Sequence, residues 1–126
     1  MITTKSNAAD YLTEFTNGEL VGACDAPACK GGKDAGFTPF ALLEASLAGC
    51  LNITARVYAQ SHGIELESVE TTVCLKPGEE GSVFEYCVKL PESLSDKDRK
   101  RVLAALKGCP IHGILGKPVS FEHKAE

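Results

Sequence analysis

The sequence has no tryptophan, a single methionine, only 6% aromatic residues and no excess of positive charge. Its formal net charge is −4 and its pI is near 5.4. This balance excludes the strongly basic surface with which proteins bind nucleic acid or an anionic membrane, and we expect neither as a partner. The first residues have no apolar run and no cleavage signature, so we expect no signal peptide and predict a cytoplasmic protein.

Cysteine, by contrast, is frequent for a chain of 126 residues. This length suits one domain, which we place over residues 1–126. Because no secretory signal is expected, we predict reduced thiols rather than a disulfide framework. The six cysteines are Cys24, Cys29, Cys50, Cys74, Cys87 and Cys109.

Residues 38–61 predict a long helix with a cysteine near its middle. Thr38 is a suitable N-cap, and Pro39 fits the first helical position because no N–H is needed there. The front half is apolar almost all round, so this helix requires cover on every side. The second half is too polar for a membrane span, which predicts the buried central helix of a soluble protein. The apolar residues are Phe40, Ala41, Leu42, Leu43, Ala45, Leu47, Ala48, Cys50, Leu51 and Ile53.

Alternating apolar and polar residues predict short strands on both sides of this helix, and therefore an α+β chain. Asn17-Gly18 is a typical hairpin turn, and Gly63 is suited to end the long helix. A loop covers residues 24–37. The predicted strands are residues 2–5, 11–15, 19–23, 64–76, 82–90 and 119–123.

Two further helical segments follow the strands. Ser95 is a candidate N-cap for a helix over residues 97–107, in which Val102, Leu103 and Leu106 share the apolar side. Cys109 then precedes Pro110, which places this thiol at or next to the N-cap of another helical turn. Helix N-termini favour thiolate, so we expect a lowered pKa for Cys109. For Cys50, which lies in the middle of an apolar helix, burial alone would raise the pKa.

The remaining cysteines have two interpretations. Cys24 and Cys29 form a C-x4-C pair in a loop, where a zinc site is possible, but the spacing is wide and no second Cys/His pair follows at finger spacing. Incidental loop cysteines are the simpler interpretation. Cys74 and Cys87 lie in predicted strands and are interpreted as small hydrophobic residues packed on a sheet face.

The segment TPFALLEASLAGC, from Thr38 to Cys50, resembles the P-x-E-L-L-L-A-[SA]-L-[AG]-[AG]-C signature of the OsmC/Ohr family. The segment GCPIH at residues 108–112 resembles its C-P-[VI]-H block. This family comprises the osmotically inducible protein and the organic hydroperoxide resistance proteins. The resemblance implies an α+β fold in which curved antiparallel sheets surround a long buried central helix. It also implies an intertwined homodimer.

The resemblance further implies a two-cysteine peroxidase of the oxidative stress response. Cys50 would be the peroxidatic thiolate that attacks an organic hydroperoxide and becomes a sulfenic acid. Cys109 would be the resolving thiol that forms a disulfide with it, and an external dithiol would reduce this disulfide. Neither a metal nor another cofactor is expected.

Two residues that commonly activate the family's thiolate have no counterpart at the expected positions. No carboxylate directly follows Pro39, and no arginine precedes Arg56. Glu44 is a candidate supporting residue, although it points roughly 120° away from Cys50 on a helix of about 100° per residue. His112 could also support a thiolate, or simply pack or face solvent.

The alternatives are therefore a peroxidase of low activity and a dimer without catalysis. Such a dimer would sense oxidation or bind an apolar ligand. Transfer of another sulfur species by the thiol pair is a third hypothesis, because a thiol can carry persulfide as well as sulfenate.

Overall fold

Short antiparallel sheets and one long helix are the main elements of the computed structural model, which describes all residues from Met1 to Glu126. The predicted α+β class with antiparallel sheets and a long helix is confirmed. The chain divides into two compact units, Met1–Leu43 and Glu44–Glu126. A single domain over residues 1–126 stays a prediction.

The first unit contains a three-stranded antiparallel sheet in the order β1-β2-β3, with β1 Thr3–Ser6, β2 Thr13–Thr16 and β3 Val21–Cys24. The predicted hairpin turn joins β2 to β3. Asn17 Oδ1 accepts hydrogen bonds from the next two N–H groups beyond Gly18 at 3.0 and 2.8 Å. Gly18 has φ 103°, a conformation that is costly for residues with a side chain.

A buried carboxylate, Asp25, organises the loop that follows β3. Its side chain accepts hydrogen bonds from the N–H groups of Ala26, Lys33 and Ala35 at 2.8, 3.1 and 3.2 Å. Burial raises the pKa of Asp25, but these three hydrogen bonds and the nearby Lys33 charge hold it below its ordinary value. The sequence predicted a loop here and gave no role to Asp25.

The long helix, α1, spans Pro39–Ser61 as predicted. Thr38 Oγ1 accepts the N–H of Ala41 at 3.1 Å, which confirms the N-cap. Gly63 has φ 64° just beyond the end of the helix, which confirms its role as well.

Only one face of α1 is buried within this chain. The helix packs a stripe of residues at four-residue spacing into the core, where Val102 and Leu106 contact the same cluster. Ile53 and Val57 on another face are 55% and 56% exposed. One chain of this size therefore covers α1 on one side only, and cover on all sides stays a prediction that depends on a second copy. The buried helix residues are Leu47, Leu51, Ala55 and Ala59.

By length and composition, α1 could also cross a membrane, contrary to the argument from its polar second half. Core helices of soluble proteins meet the same criterion, so length and composition alone do not decide between the two.

The second unit contains a two-stranded antiparallel sheet of β4, Glu70–Lys76, and β5, Val83–Lys89. The prediction placed the start of β4 at residue 64, which is wrong. The N–H of Ile64 instead donates to the carbonyl of Ala59 at 2.8 Å and closes the end of α1. Because this N–H is used by the helix, it is not available to a strand partner.

The C-terminal part of the second unit is helical and then irregular. Helix α2, Asp96–Ala105, begins after Ser95, whose Oγ accepts the N–H of Asp98 at 3.1 Å. A single 3₁₀ turn, Leu106–Gly108, leads to helix α3, Pro110–Leu115.

Two predictions for this region are wrong. Leu103 is 42% exposed, because it lies on the outer side of α2 rather than with Val102 and Leu106. Residues 119–123 form no strand, since no neighbouring strand pairs with them and Phe121 is 96% exposed.

Replacement of Asp25 should destabilise the protein in a pH-dependent way. Because the folded-state pKa of Asp25 is lowered, its ionised form stabilises the fold above its ordinary pKa, and this stabilisation is lost as the pH falls through the lowered value. We expect Asp25→Asn to lower the urea midpoint most at neutral pH and least in acid.

The matched control is Asp34→Asn, because Asp34 lies in the same loop and accepts a single N–H, from Ala28, at 3.1 Å. Its effect should be clearly smaller. Equal midpoints for wild type and Asp25→Asn at pH 7 would contradict the role assigned to this carboxylate.

Candidate functional site

The second unit brings together two thiols that are far apart in the sequence. Cys50 lies in the middle of α1, and Cys109 lies directly before α3. Their side chains form a hydrogen bond with each other, and both are free thiols. Cys109 is 1% exposed, whereas Cys50 is only half-buried. One sulfur is therefore enclosed by protein, and the other is accessible.

The start of α3 positions Cys109. Cys109 is the N-cap with extended backbone angles, φ −61° and ψ 122°, and Pro110 occupies the first helical position as predicted. The Sγ of Cys109 accepts the N–H of His112 at 3.5 Å. A sulfur thus takes the capping role that a serine or aspartate oxygen usually fills.

The pKa of the Cys50 thiol is lowered from its ordinary value. Burial acts in the opposite direction, but three hydrogen-bonding groups together outweigh it. They are the thiol of Cys109, the backbone of Ile111 and the hydroxyl of Thr54. Each donor stabilises the thiolate more than the thiol, so the accessible sulfur is the one that ionises.

The pKa of Cys109 is raised, first by burial and then by the hydrogen bond and negative charge of Cys50. The backbone groups of His112 and Ile111 lower it, but they do not compensate for these effects. The prediction of a lowered pKa for Cys109 is therefore wrong. The helix N-terminus does act on Cys109, but burial and the neighbouring sulfur decide which thiol keeps the proton.

Beside Cys50 lies an open groove of about 780 Å³. Its walls are mostly apolar along α1, and polar groups are gathered towards the end of that helix. Tyr58 and His62 stack there with ring centroids 4.0 Å apart. A small molecule with an apolar body fits such a site. The lining residues are Ser46, Gly49, Cys50, Ile53, Thr54, Val57, Tyr58, Ser61, His62, Ala105, Gly108 and Pro110.

The predicted supporting residue Glu44 has a different contact in this chain. Its Oε1 accepts the N–H of Leu75 at 2.8 Å, and so it fixes β4 against α1. A second bond, from Thr71 Oγ1 to the carbonyl of Ala48 at 2.9 Å, does the same one turn further along. A role of Glu44 in ionising Cys50 stays a prediction.

His112 supports the site through its backbone N–H rather than its ring. The imidazole packs edge-on against Tyr86, with ring centroids 6.0 Å apart. Arg56, the first arginine of the chain, donates from Nε to Asn52 Oδ1 at 2.9 Å. Asn52 in turn donates to the carbonyl of Val69 at 2.8 Å. These contacts hold the arginine on the helix surface.

Sequence reasoning missed two groups that act on Cys50. Thr54 lies four residues after Cys50 on α1, and this spacing places two side chains on one helix face, so it could have been found. The backbone of Ile111 has no signature of its own in the sequence. Its contact with Cys50 depends on the packing of α3 against α1, which the sequence does not specify locally.

The other four cysteines are not part of this pair. Cys24 ends β3 and is half-buried, whereas Cys29 is exposed in the 3₁₀ turn Ala28–Lys30. No group of three or more His, Cys, Asp or Glu side chains is arranged to hold a metal ion. Cys74 and Cys87 lie in strands as predicted, but both are exposed, so the interpretation that they pack there as small hydrophobic residues is wrong.

An α+β fold with a long apolar helix, and with a hydrogen-bonded thiol pair at that helix, defines a class of small dithiol proteins. The model of the OsmC-like protein family matches residues 31–124, which is most of the chain. The chain belongs to this family.

Solved structures of the same fold cover nearly the whole chain. An OsmC-like protein from Mycoplasma pneumoniae is 23% identical, with a TM-score of 0.71 over 92% of this chain and 86% of that one. The organic hydroperoxide resistance protein OsmC from Legionella pneumophila is 22% identical, with a TM-score of 0.65 over 90% and 86%. OhrB, an organic hydroperoxide resistance protein of Bacillus subtilis, is 23% identical, with a TM-score of 0.59 over 90% and 87%. No curated protein sequence matches the chain.

Removal of the Cys109 thiol should raise the pKa of Cys50, because the thiolate loses a hydrogen-bond donor. The rate of Cys50 alkylation by iodoacetamide increases with pH as the thiol ionises. We expect the midpoint of this increase to lie at a higher pH in Cys109→Ala than in wild type. The rate is followed by mass spectrometry of the peptide that contains Cys50.

Cys109→Ser, which keeps a donor at this position, should shift the profile less than Cys109→Ala. Cys29→Ala removes an exposed thiol elsewhere and should leave the profile unchanged. An identical profile in wild type and Cys109→Ala would show that the two thiols do not interact.

Proposed function

We propose that this protein reduces organic hydroperoxides through a cycle of two cysteines. One observation carries the proposal. The accessible thiol, Cys50, has a lowered pKa, hydrogen-bonds to a second thiol that keeps its proton, and opens onto an apolar groove. Family membership and structural likeness to hydroperoxide resistance proteins support a redox role of this kind.

The first step is attack of the Cys50 thiolate on the terminal peroxide oxygen. The S–O bond forms while the O–O bond breaks, so Cys50 becomes a sulfenic acid and the substrate leaves as an alkoxide. Cys109 is placed to protonate this alkoxide, because its raised pKa keeps a proton beside the reacting sulfur. The products are the alcohol, the sulfenic acid and a Cys109 thiolate.

The second step joins the two sulfurs. Once Cys50 has been oxidised it no longer carries the negative charge that raised the pKa of Cys109. The N–H of His112 then stabilises the Cys109 thiolate, which attacks the Cys50 sulfur and displaces hydroxide. An external dithiol reduces the disulfide and is itself oxidised to a disulfide, which completes the electron balance.

The groove favours hydroperoxides with apolar substituents. Ile53, Val57 and Ala105 contribute its apolar surface. Discrimination by such a wall is modest, because one methylene group in an apolar pocket changes binding by about 1–3 kcal/mol. We therefore infer a broad class of substrates rather than a single compound.

A redox sensor that turns over slowly is the second candidate. The groups that lower the pKa of Cys50 include no lysine or arginine. Neutral donors favour thiolate less than a neighbouring cation does. A thiol of this kind reports oxidation without rapid turnover, and the initial rate of disulfide formation distinguishes the two candidates.

We propose further that two copies form a cytoplasmic homodimer. The exposed apolar residues Leu43, Ile53 and Val57 on α1 support this, because a helix with this much exposed hydrocarbon needs cover in water. A second copy is the occupant that the family resemblance implies, and it would supply the cover that one chain lacks.

Cys50→Ser should abolish hydroperoxide reduction. With cumene hydroperoxide as substrate and dithiothreitol as reductant, we expect the variant to match the uncatalysed rate, since serine is a far weaker nucleophile at neutral pH. Cys29→Ser is the matched control and should turn over like wild type.

Cys109→Ser separates the two steps. It should form a Cys50 sulfenic acid that dimedone traps, and it should form no disulfide within the chain. Equal turnover by wild type and Cys50→Ser would refute the catalytic role of Cys50.

Ile53→Asp tests the homodimer. A carboxylate buried without a partner costs several kcal/mol, and about 1.4 kcal/mol corresponds to a factor of ten, so the dimer dissociation constant should rise at least about a hundredfold. Sedimentation velocity measures this constant. Leu103→Asp places the same charge at an exposed leucine of α2 and should leave the dimer intact, whereas a wild-type monomer would contradict the proposal.

A further inference from the structure

Two exposed cysteines, Cys74 on β4 and Cys87 on β5, lie outside the thiol pair at α1. Both are free. In the register of the hairpin, Cys74 is opposite Glu85, and Cys87 is opposite Thr72. Because side chains alternate between the faces of a strand, residues two apart share a face. The two cysteines are therefore diagonal neighbours on one face of the sheet.

This face is the outer one. The opposite face carries Val73, Phe84 and Val88, which pack against the hydrophobic core. Positions on the outer face are exposed on both strands. The sheet itself thus separates Cys74 and Cys87 from the core side of the unit, where Cys50 packs. The surface pair is chemically independent of the proposed hydroperoxide cycle.

An ion pair shows that long side chains meet along this kind of diagonal in the hairpin. Lys76 Nζ lies 2.7 Å from Glu85 Oε2, although Lys76 is opposite Val83 rather than Glu85. Glu85 lies two residues beyond the direct partner of Lys76 on β5. Cys87 likewise lies two residues beyond the direct partner of Cys74, so the two diagonals have the same direction. The charged pair and the two thiols therefore occupy equivalent diagonals of the hairpin.

The separation favours an ion between the sulfurs over a direct disulfide. Diagonal neighbours have Cα atoms about 7–8 Å apart, whereas disulfides usually need about 4.4–6.8 Å. A bridging ion adds two metal–sulfur bonds in place of one short S–S bond and therefore spans the larger distance. The contact between Glu85 and Lys76 engages this carboxylate, and no third ligand is arranged at the pair.

We propose that Cys74 and Cys87 form a surface site for one thiophilic, two-coordinate cation, for which Cu(I) is the probe. Two thiolates without further ligands do not meet the four-coordinate preference of zinc, whereas soft thiolate ligands select Cu(I). Binding forms two Cu–S bonds and releases the two thiol protons. No electron is transferred, so the step needs no oxidant.

The test uses the double variant Cys50→Ser/Cys109→Ser as its starting protein, because this variant lacks the thiol pair at α1. Copper(I) is partitioned between this protein and the chromophoric chelator bicinchoninate without oxygen. We expect one copper per chain. Addition of Cys74→Ser should weaken binding at least about a hundredfold, because linkage of two binding groups contributes about 10²–10⁴ in affinity.

Cys29→Ser in the same background is the matched control, because it removes an exposed thiol that has no partner across a strand, and it should leave the affinity unchanged. Equal affinity with and without Cys74 would overturn the site, as would an equal loss in the Cys29 variant. A copper-dependent doubling of mass would also overturn it, because the ion would then bridge two chains.

A second measurement applies if the double variant fails to fold. In the chain with all six thiols, Cys74→Ser should lower the number of copper ions held per chain by one, while Cys29→Ser leaves it unchanged. An unchanged count in Cys74→Ser would likewise overturn the proposal.

Discussion

The hydrogen bond between the thiols of Cys50 and Cys109 is the interaction on which the candidate site depends. It joins the middle of α1 to the N-cap of α3. When one thiol of the pair ionises, the two sulfurs share the single proton that remains. The accessible sulfur is favoured as thiolate, and the enclosed sulfur as thiol. Loss of either partner changes the ionisation of the other, so the two cysteines act as one chemical unit.

Local features of the fold could be predicted from the sequence because neighbouring residues determine them. Thr38, Ser95 and Cys109 cap helices as their positions indicate, and Gly18 and Gly63 adopt the left-handed conformations that their turns require. The strand structure predicted at residues 64–69 and 119–123 is absent, because neighbouring residues alone do not determine a strand. Alternation of side chains suits a strand, but a strand also needs a partner, and local sequence does not specify one.

The residues of the site could be chosen from the sequence, whereas their electrostatics could not. Cys50 and Cys109 were selected through their motifs, and the structure brings them together. The pKa of Cys109 is raised rather than lowered as predicted, because burial of Cys109 and its contact with Cys50 both arise from tertiary packing. Thr54 alone among the missed groups had a usable signal, its four-residue spacing from Cys50.

The near-complete enclosure of Cys109 determines which sulfur of a disulfide between the pair a reductant attacks. With 1% of this residue exposed, a reductant that approaches a disulfide of the pair encounters the sulfur of Cys50 and bonds to it. Cys109 is then the group expelled, and its burial raises the pKa of this leaving thiol, which the N–H of His112 offsets only in part. Thiol–disulfide exchange slows as the leaving thiol becomes more basic, so recovery would be the slow half of the cycle and the oxidised state would persist.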